Sequence, residues 1–228
     1  MTHQFSRAGQ RHLAAGRENE DAFAIREDDR YTVMALADGA SGCSHAGQGA
    51  QLCCDTAARL LLGCAAYFLD APPETVTKIL LRNIRYALDK QAAQEKIPVE
   101  AFSSTLACAL YDRREQKLLL FRLGDGLVLG SRENRCTCLL RPDSSAQGTC
   151  VTTTRGADSR CSVQLLDAAG YRSVMLLTDG AWRAMVTGGR LSPAAEDAVV
   201  RGDDPRLRQL LRKAAPNDDH SYLILTTA

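Results

Sequence analysis

The sequence lacks the features that would send a chain into a membrane or tie it to nucleic acid. Its longest apolar run, Leu60–Leu69 (LLLGCAAYFL), is far short of the roughly 20 residues a bilayer-spanning helix requires, and reads as a buried helix segment. The first twenty residues, MTHQFSRAGQRHLAAGRENE, hold no apolar stretch of the kind a secretory leader carries. A surplus of one charge is missing as well. Lys plus Arg number 28 against 27 for Asp plus Glu, a net charge of +1, so bulk charge recruits neither nucleic acid nor an acidic membrane. The 9 cysteines include no C-x-x-C pair. Cys136 and Cys138 are spaced C-x-C but lack the two further ligands that zinc needs. Scattered thiols without a framework point to a reducing, cytoplasmic setting. No Walker lysine motif occurs, and GDGLVLG around Gly124 lacks the G-x-G-x-x-G spacing, which argues against nucleotide binding.

What is present is an ordinary globular composition, 45% hydrophobic and 24% charged over 228 residues. A chain of this size buries roughly 70–75% of its unfolded surface if it folds as one unit. No low-complexity linker interrupts it, so one domain over residues 1–228, as a monomer, is expected. Phe23–Ile25 and Tyr31–Ala37 read as strands around the charged turn REDDR. A Gly/Ser loop follows, then helical periodicity from Ala50 to Leu69, a Pro72-Pro73 break, and a second helix from Glu74 to about Lys96, ended by Pro98. From Ser104 the texture changes to short apolar runs (STLACALYD, KLLLFRLGD, GLVLGS, CTCLL), the pattern of an antiparallel meander. Arg141–Arg160 is polar loop with one or two edge strands. YRSVMLLTDG is a strand, helices return between Ala181 and Ala215, and SYLILTT closes the chain as a strand. Helices segregated from a long strand run, without βαβ alternation, give an α+β class.

One local pattern recurs. VMALADGA and VMLLTDGA each run an apolar strand straight into Asp-Gly, at Asp38-Gly39 and Asp179-Gly180, and LLLFRLGDG does much the same at Asp125-Gly126. Asp is a poor strand residue, and the glycine after it permits a sharp turn. Glu20-Asp21 precedes the AFAI strand and Asp218-Asp219 nearly abuts the last one. Carboxylates at strand ends gather at a sheet rim, where they repel unless a cation joins them. An all-oxygen donor set suits Mg²⁺ or Mn²⁺. The alternative is a set of solvated turns, since Asp-Gly is also common hairpin chemistry.

Read in order, GRENEDAF, ALADGASG, SSTLACALYD, RLGDG, LLTDGAW and NDDHSYLIL resemble the successive motifs of the protein phosphatase 2C family, in a divergent bacterial form. The resemblance implies a four-layer α-β-β-α sandwich, two antiparallel sheets flanked by helices. It implies two divalent metal ions, Mn²⁺ or Mg²⁺. Asp38 would bridge both ions, the Gly39 carbonyl would bind the second, and Asp179 and Asp218 the first. Glu20 and Asp21 would hold metal-bound waters. Asp219 is an alternative to Asp218. Arg17 would bind phosphate, with Arg11 or His12 as alternatives, because Arg17 stands one residue off the family's spacing. Ala40 occupies the place where many members carry a histidine, and Gly126 replaces the usual serine. Asp125 is expected to shape a turn near the site.

The implied function is hydrolysis of phosphoserine or phosphothreonine on proteins. A metal-bridging hydroxide attacks phosphorus, with no protein nucleophile. A phosphoprotein is the implied partner, and a Ser/Thr kinase a further one that the sequence leaves open. The alternative of a different class is a pseudophosphatase, a binding or regulatory module of the same fold without catalysis. A second rival, a cysteine-dependent phosphatase, rests on CCDTAAR from Cys53 to Arg59, but that segment lies in an expected helix and has no glycine with which to wrap a phosphate.

Overall fold

The computed structural model describes residues 1–143 and 148–227. Strand β1 (Thr2–Arg7) and a short helix α1 (Gln10–Ala14) lead into the hairpin β2 (Ala22–Glu27) and β3 (Tyr31–Ala37). Helices α2 (Ala46–Gly63), α3 (Ala65–Asp70) and α4 (Pro73–Glu95) follow. The meander comes next: β4 (Leu106–Asp112), β5 (Lys117–Leu123), β6 (Leu127–Arg132) and β7 (Arg135–Leu140). Then come β8 (Ser162–Asp167), β9 (Tyr171–Leu177), α5 (Asp179–Met185) and a two-residue hairpin, β10 (Val186–Thr187) with β11 (Arg190–Leu191). Helices α6 (Pro193–Arg201) and α7 (Asp204–Ala214) precede β12 (His220–Thr226).

The strands form two five-stranded antiparallel sheets, ordered β1-β12-β9-β6-β7 and β2-β3-β4-β5-β8. Side-chain alternation divides each inner strand between two apolar layers. In β4, Leu106, Cys108 and Leu110 face α2 and α4, while Ala107, Ala109 and Tyr111 face the other sheet. In β9, Met175 and Leu177 lie under α5–α7, while Val174 and Leu176 meet the opposing sheet. The inner strands are thus apolar on both faces, which is why they read as continuous hydrophobic runs. The result is the expected α-β-β-α sandwich of the α+β class. Among the described residues no helix is long and apolar enough to cross a membrane.

Three details differ from the sequence reading. The helix expected over Ala50–Leu69 starts earlier, at Ala46, and is cut in two at Cys64, whose ψ of 32° breaks the ladder. Strands β1 and β8 carry no alternation that periodicity could detect. Both are sheet edges, and β1 buries only Phe5. Of the loop expected over Arg141–Arg160, residues 144–147 lie outside the described residues; β8 begins only beyond that stretch.

Candidate active site

Antiparallel pairing brings the acidic segments to one end of the sandwich. Ala22 pairs with Ala37, so the start of β2 and the end of β3 lie side by side, and Glu20-Asp21 comes next to Asp38. Tyr222 pairs with Leu177, so Asp218-Asp219 meets Thr178-Asp179. The β5–β6 turn adds Asp125. Carboxylate oxygens of Asp38, Asp125 and Asp179 all lie within 4.8 Å of one another. A cleft of about 360 Å³ opens over them, lined also by Asp218, Gly39 and Ser41.

Each group is held from the backbone upward. Thr105 clamps Asp38 on both sides: its Oγ1 accepts from the Asp38 N–H (3.0 Å) and its own N–H donates to the Asp38 carbonyl (2.8 Å). The glycines after the aspartates serve close approach rather than an unusual turn, since neither Gly39 nor Gly180 has a positive φ. A Cβ on Gly39 would lie 2.9 Å from Ala46 and from the Glu20 carbonyl oxygen, and one on Gly180 only 2.1 Å from the Asp219 carbonyl oxygen. Asp179 opens α5, and Arg183, one turn along, places its guanidinium 2.7 Å from Asp179 Oδ2 and 3.5 Å from Asp125 Oδ2. Trp182 Nε1 donates to the Asp125 carbonyl (2.9 Å), and Thr149 Oγ1 donates to Asp125 Oδ2 (3.1 Å).

The electrostatics follow from burial and crowding. Burial pushes the Asp21 carboxyl up to about 8, reinforced by the charges of Asp219 and Asp179 and opposed by the Ser221 and Thr178 hydroxyls. Burial also raises Asp38, with Asp21 and Asp179 as the nearest like charges. Asp179 is raised by burial and by Asp125, with Arg183 pulling it back. Oδ1 of Asp21 and Oδ1 of Asp179 are buried and receive no donor from the described residues. A site of anionic oxygens with unused acceptors fits a hard divalent cation, and poorly fits a soft one.

The residues singled out in the sequence separate into two groups. Asp38, Gly39, Asp179 and Asp218 line the cleft. Asp21 lies buried behind it, its Oδ2 accepting from Thr178 Oγ1 (3.0 Å). The Glu20 side chain turns away toward Arg17 and His12, while its carbonyl accepts from the Gly39 N–H. Arg17 pairs with Glu20 and is not among the cleft-lining residues. The adjacent aspartates divide their tasks. Asp218 faces the cleft, whereas Asp219 is buried and receives the Gly9 N–H (2.8 Å), the Glu20 N–H (2.6 Å) and His12 Nδ1 (2.8 Å).

Asp125 and Arg183 belong to the cluster without being assigned to it by the sequence motifs. The repeated strand-to-Asp-Gly pattern had marked Asp125, and Arg183 lies at the i,i+4 spacing from Asp179. Cys53 lies inside α2, where burial raises its thiol to about 11, the reverse of what a thiolate nucleophile needs. His45 pairs with Ser44 (2.8 Å) and Glu95 (3.5 Å).

The family model for protein phosphatase 2C matches residues 8–214. No curated protein sequence matches the chain. Among solved structures it is similar to a bacterial serine phosphatase carrying a point substitution, at a TM-score of 0.71 and 17% identity over 100% of this chain and 98% of that one. It is similar to the serine/threonine phosphatase Stp1 from Staphylococcus aureus, at 0.67 and 16%, covering 99% and 94%. It is also similar to RsbX, solved in complex with magnesium, at 0.60 and 14%, covering 98% and 92%. Likeness at these identities speaks for the fold, while the family model spans most of the chain: the chain belongs to the protein phosphatase 2C family.

Proposed function

We propose that the chain is a metal-dependent phosphatase that hydrolyses phosphoserine and phosphothreonine on proteins. The observation that carries this reading is the convergence of Asp38, Asp125 and Asp179 within 4.8 Å beside buried carboxylate oxygens that lack donors. The ions would be held by Asp38, Asp179, Asp218 and the Gly39 carbonyl, with Asp21 and Glu20 as outer supports. Divalent ions bound there supply Lewis acidity that activates water and neutralises phosphoryl oxygens. The chain's own part is to pre-position these carboxylates. Thr105 fixes Asp38, Thr178 fixes Asp21, and the glycine contacts bring the strand ends together. Arg17 is the proposed phosphate contact. Its side chain is 46% exposed, and Glu20 is its one ion-pair partner among the described residues.

A pseudophosphatase reading has one observation in its favour: Arg183 already supplies a cation to Asp179 and Asp125. Hydrolysis of p-nitrophenyl phosphate and of a phosphoserine peptide, with Mn²⁺ and with chelator, separates the two. Turnover that needs Mn²⁺ supports the enzyme. Metal binding without turnover of either substrate supports the module, and full turnover in chelator rules out the metal mechanism.

A further inference from the structure

A groove of about 650 Å³, separate from the acidic cleft, runs along the outer edge of β1. It is lined by β1 residues Gln4–Arg7, by Phe23 of β2, and by Arg208 and Arg212 of α7. No carboxylate lines it among the described residues. Asp204, on the same helix as Arg208 and Arg212, is already taken by Arg208 (2.8 Å) and the Tyr222 hydroxyl (2.8 Å). Arg7 and Arg212 are exposed and form no ion pair among the described residues.

The backbone of this edge is open as well. β1 ends its sheet, with β12 its only neighbour among the described residues. The Thr226 N–H donates to the Met1 carbonyl, so Met1 and every second residue after it face β12. Thr2, Gln4 and Ser6 therefore present their N–H and C=O groups outward, and Arg208 has captured the Gln4 carbonyl (2.5 Å). An open strand edge is matched by an extended backbone, and an acid-free groove with two unpaired arginines is matched by carboxylates or phosphates.

We infer that this groove docks an acidic, extended peptide segment of a protein partner by strand addition to β1. Nucleic acid or an anionic membrane would satisfy the arginines but not the row of backbone groups, and the chain's net charge of +1 adds no general pull toward polyanions. The placement gives the groove a use. Arg7 pairs with His220, directly after Asp218-Asp219, so the groove leads to the end of the sandwich that carries the cleft. On the phosphatase reading above, the acidic segment is a docking stretch of the phosphoprotein substrate, displaced in sequence from its phosphoresidue.

The first test does not depend on catalysis. A fluorescent, unphosphorylated Glu-Val alternating peptide is titrated against the full chain, beside its Lys-Val counterpart, oligothymidylate and phosphatidylserine vesicles. Expected is saturable binding of the Glu-Val peptide alone, weakened by added salt. Arg7→Glu with Arg212→Glu reduces it about tenfold or more. Gln4→Pro, which removes an outward N–H at an edge where proline is tolerated, reduces it with the charges intact. In a second measurement, a phosphopeptide joined to the acidic stretch shows a KM raised about tenfold in the double variant, with kcat and p-nitrophenyl phosphate turnover unchanged. Absence of Glu-Val binding overturns the proposal. So does equal binding of the Lys-Val peptide, insensitivity to the double variant, or tighter binding of the oligonucleotide or vesicle with the same arginine dependence. Peptide binding without turnover of any phosphate ester leaves the groove standing and removes the phosphatase reading instead.

Discussion

At the scale of single residues, the site is a balance between carboxylates that repel and cations that join them. Asp38 shows the balance most directly, because burial and the charges of Asp21 and Asp179 all oppose its ionisation. Asp38→Asn is expected to abolish activity yet leave the metal-free protein at least as stable as wild type. With metal the order reverses. A ligand that binds only the native state stabilises it by about 2.7 kcal/mol at a hundredfold excess over its Kd. Each kcal/mol moves the Tm of a chain this size by roughly 2–4 °C, so wild type should gain about 5–11 °C in saturating Mn²⁺ and the variant should lose most of that gain. Melting curves of both proteins in chelator and in Mn²⁺ decide it. A full metal shift in the variant removes Asp38 from the ligand set. Arg183 acts on the other limb of the cluster. Its own side chain is 57% exposed, so solvent screens the cation although Asp179 is buried, which limits the worth of the pair. Arg183→Met should lower the Tm in chelator by only about 2–4 °C and enlarge the Mn²⁺ shift, because Asp125 and Asp179 then lack their internal cation. An unchanged metal shift would show that the guanidinium and the ions do not share those carboxylates.

At the scale of elements, α2 seats the β2-β3-β4-β5-β8 sheet by close approach. Gly49 packs so near the turn before β4 that an added Cβ would lie 2.0 Å from the Phe102 carbonyl oxygen. Backbone cannot yield as a flexible side chain does, so Gly49→Ala should cost more than about 2 kcal/mol despite the better helix propensity of alanine. Chemical denaturation measures this, and a stabilised variant would show that the helix shifts freely. One turn further along, Cys53 is buried and accepts a hydrogen bond from Ser104 Oγ (3.4 Å). Cys53→Ser should leave kcat within about threefold, since the proposed chemistry uses no protein nucleophile. A hundredfold fall in a folded variant would return the thiol to consideration.

For the whole molecule, the raised carboxyls set the pH dependence of the metal-free state. Asp21, Asp38 and Asp179 hold their protons more tightly when folded than when unfolded. The native state therefore binds more protons, and stability falls as pH rises. The fall should run from the unfolded carboxylate range near 4 up to about 8, the value for Asp21. In chelator the Tm should thus be higher at pH 5 than at pH 8. Saturating Mn²⁺ should reverse this order, because ligands must be ionised to bind. A chelated protein that is steadily more stable toward pH 8 would contradict the crowding described here.

The sequence by itself determined the layers and the acidic character of the rim. Inner strands such as Val33–Ala37 and Val174–Leu177 are apolar on both faces, and each runs into Asp-Gly, a local signal that needs no partner to be seen. Tertiary structure decided what depends on neighbours distant in sequence. Asp218 and Asp219 are indistinguishable as letters. Gly9, His12 and Glu20, about two hundred residues away, claim Asp219 and leave Asp218 to the cleft. Asp125 enters the cluster because the β5–β6 turn crosses from one sheet to the other, from β5 beside β4 to β6 beside β9. Edge strands β1 and β8 bury too little to leave a pattern and exist through their ladders to β12 and β5. Periodicity records which face of a segment meets the core. Convergence at the rim is set by register between strands, which no single segment encodes.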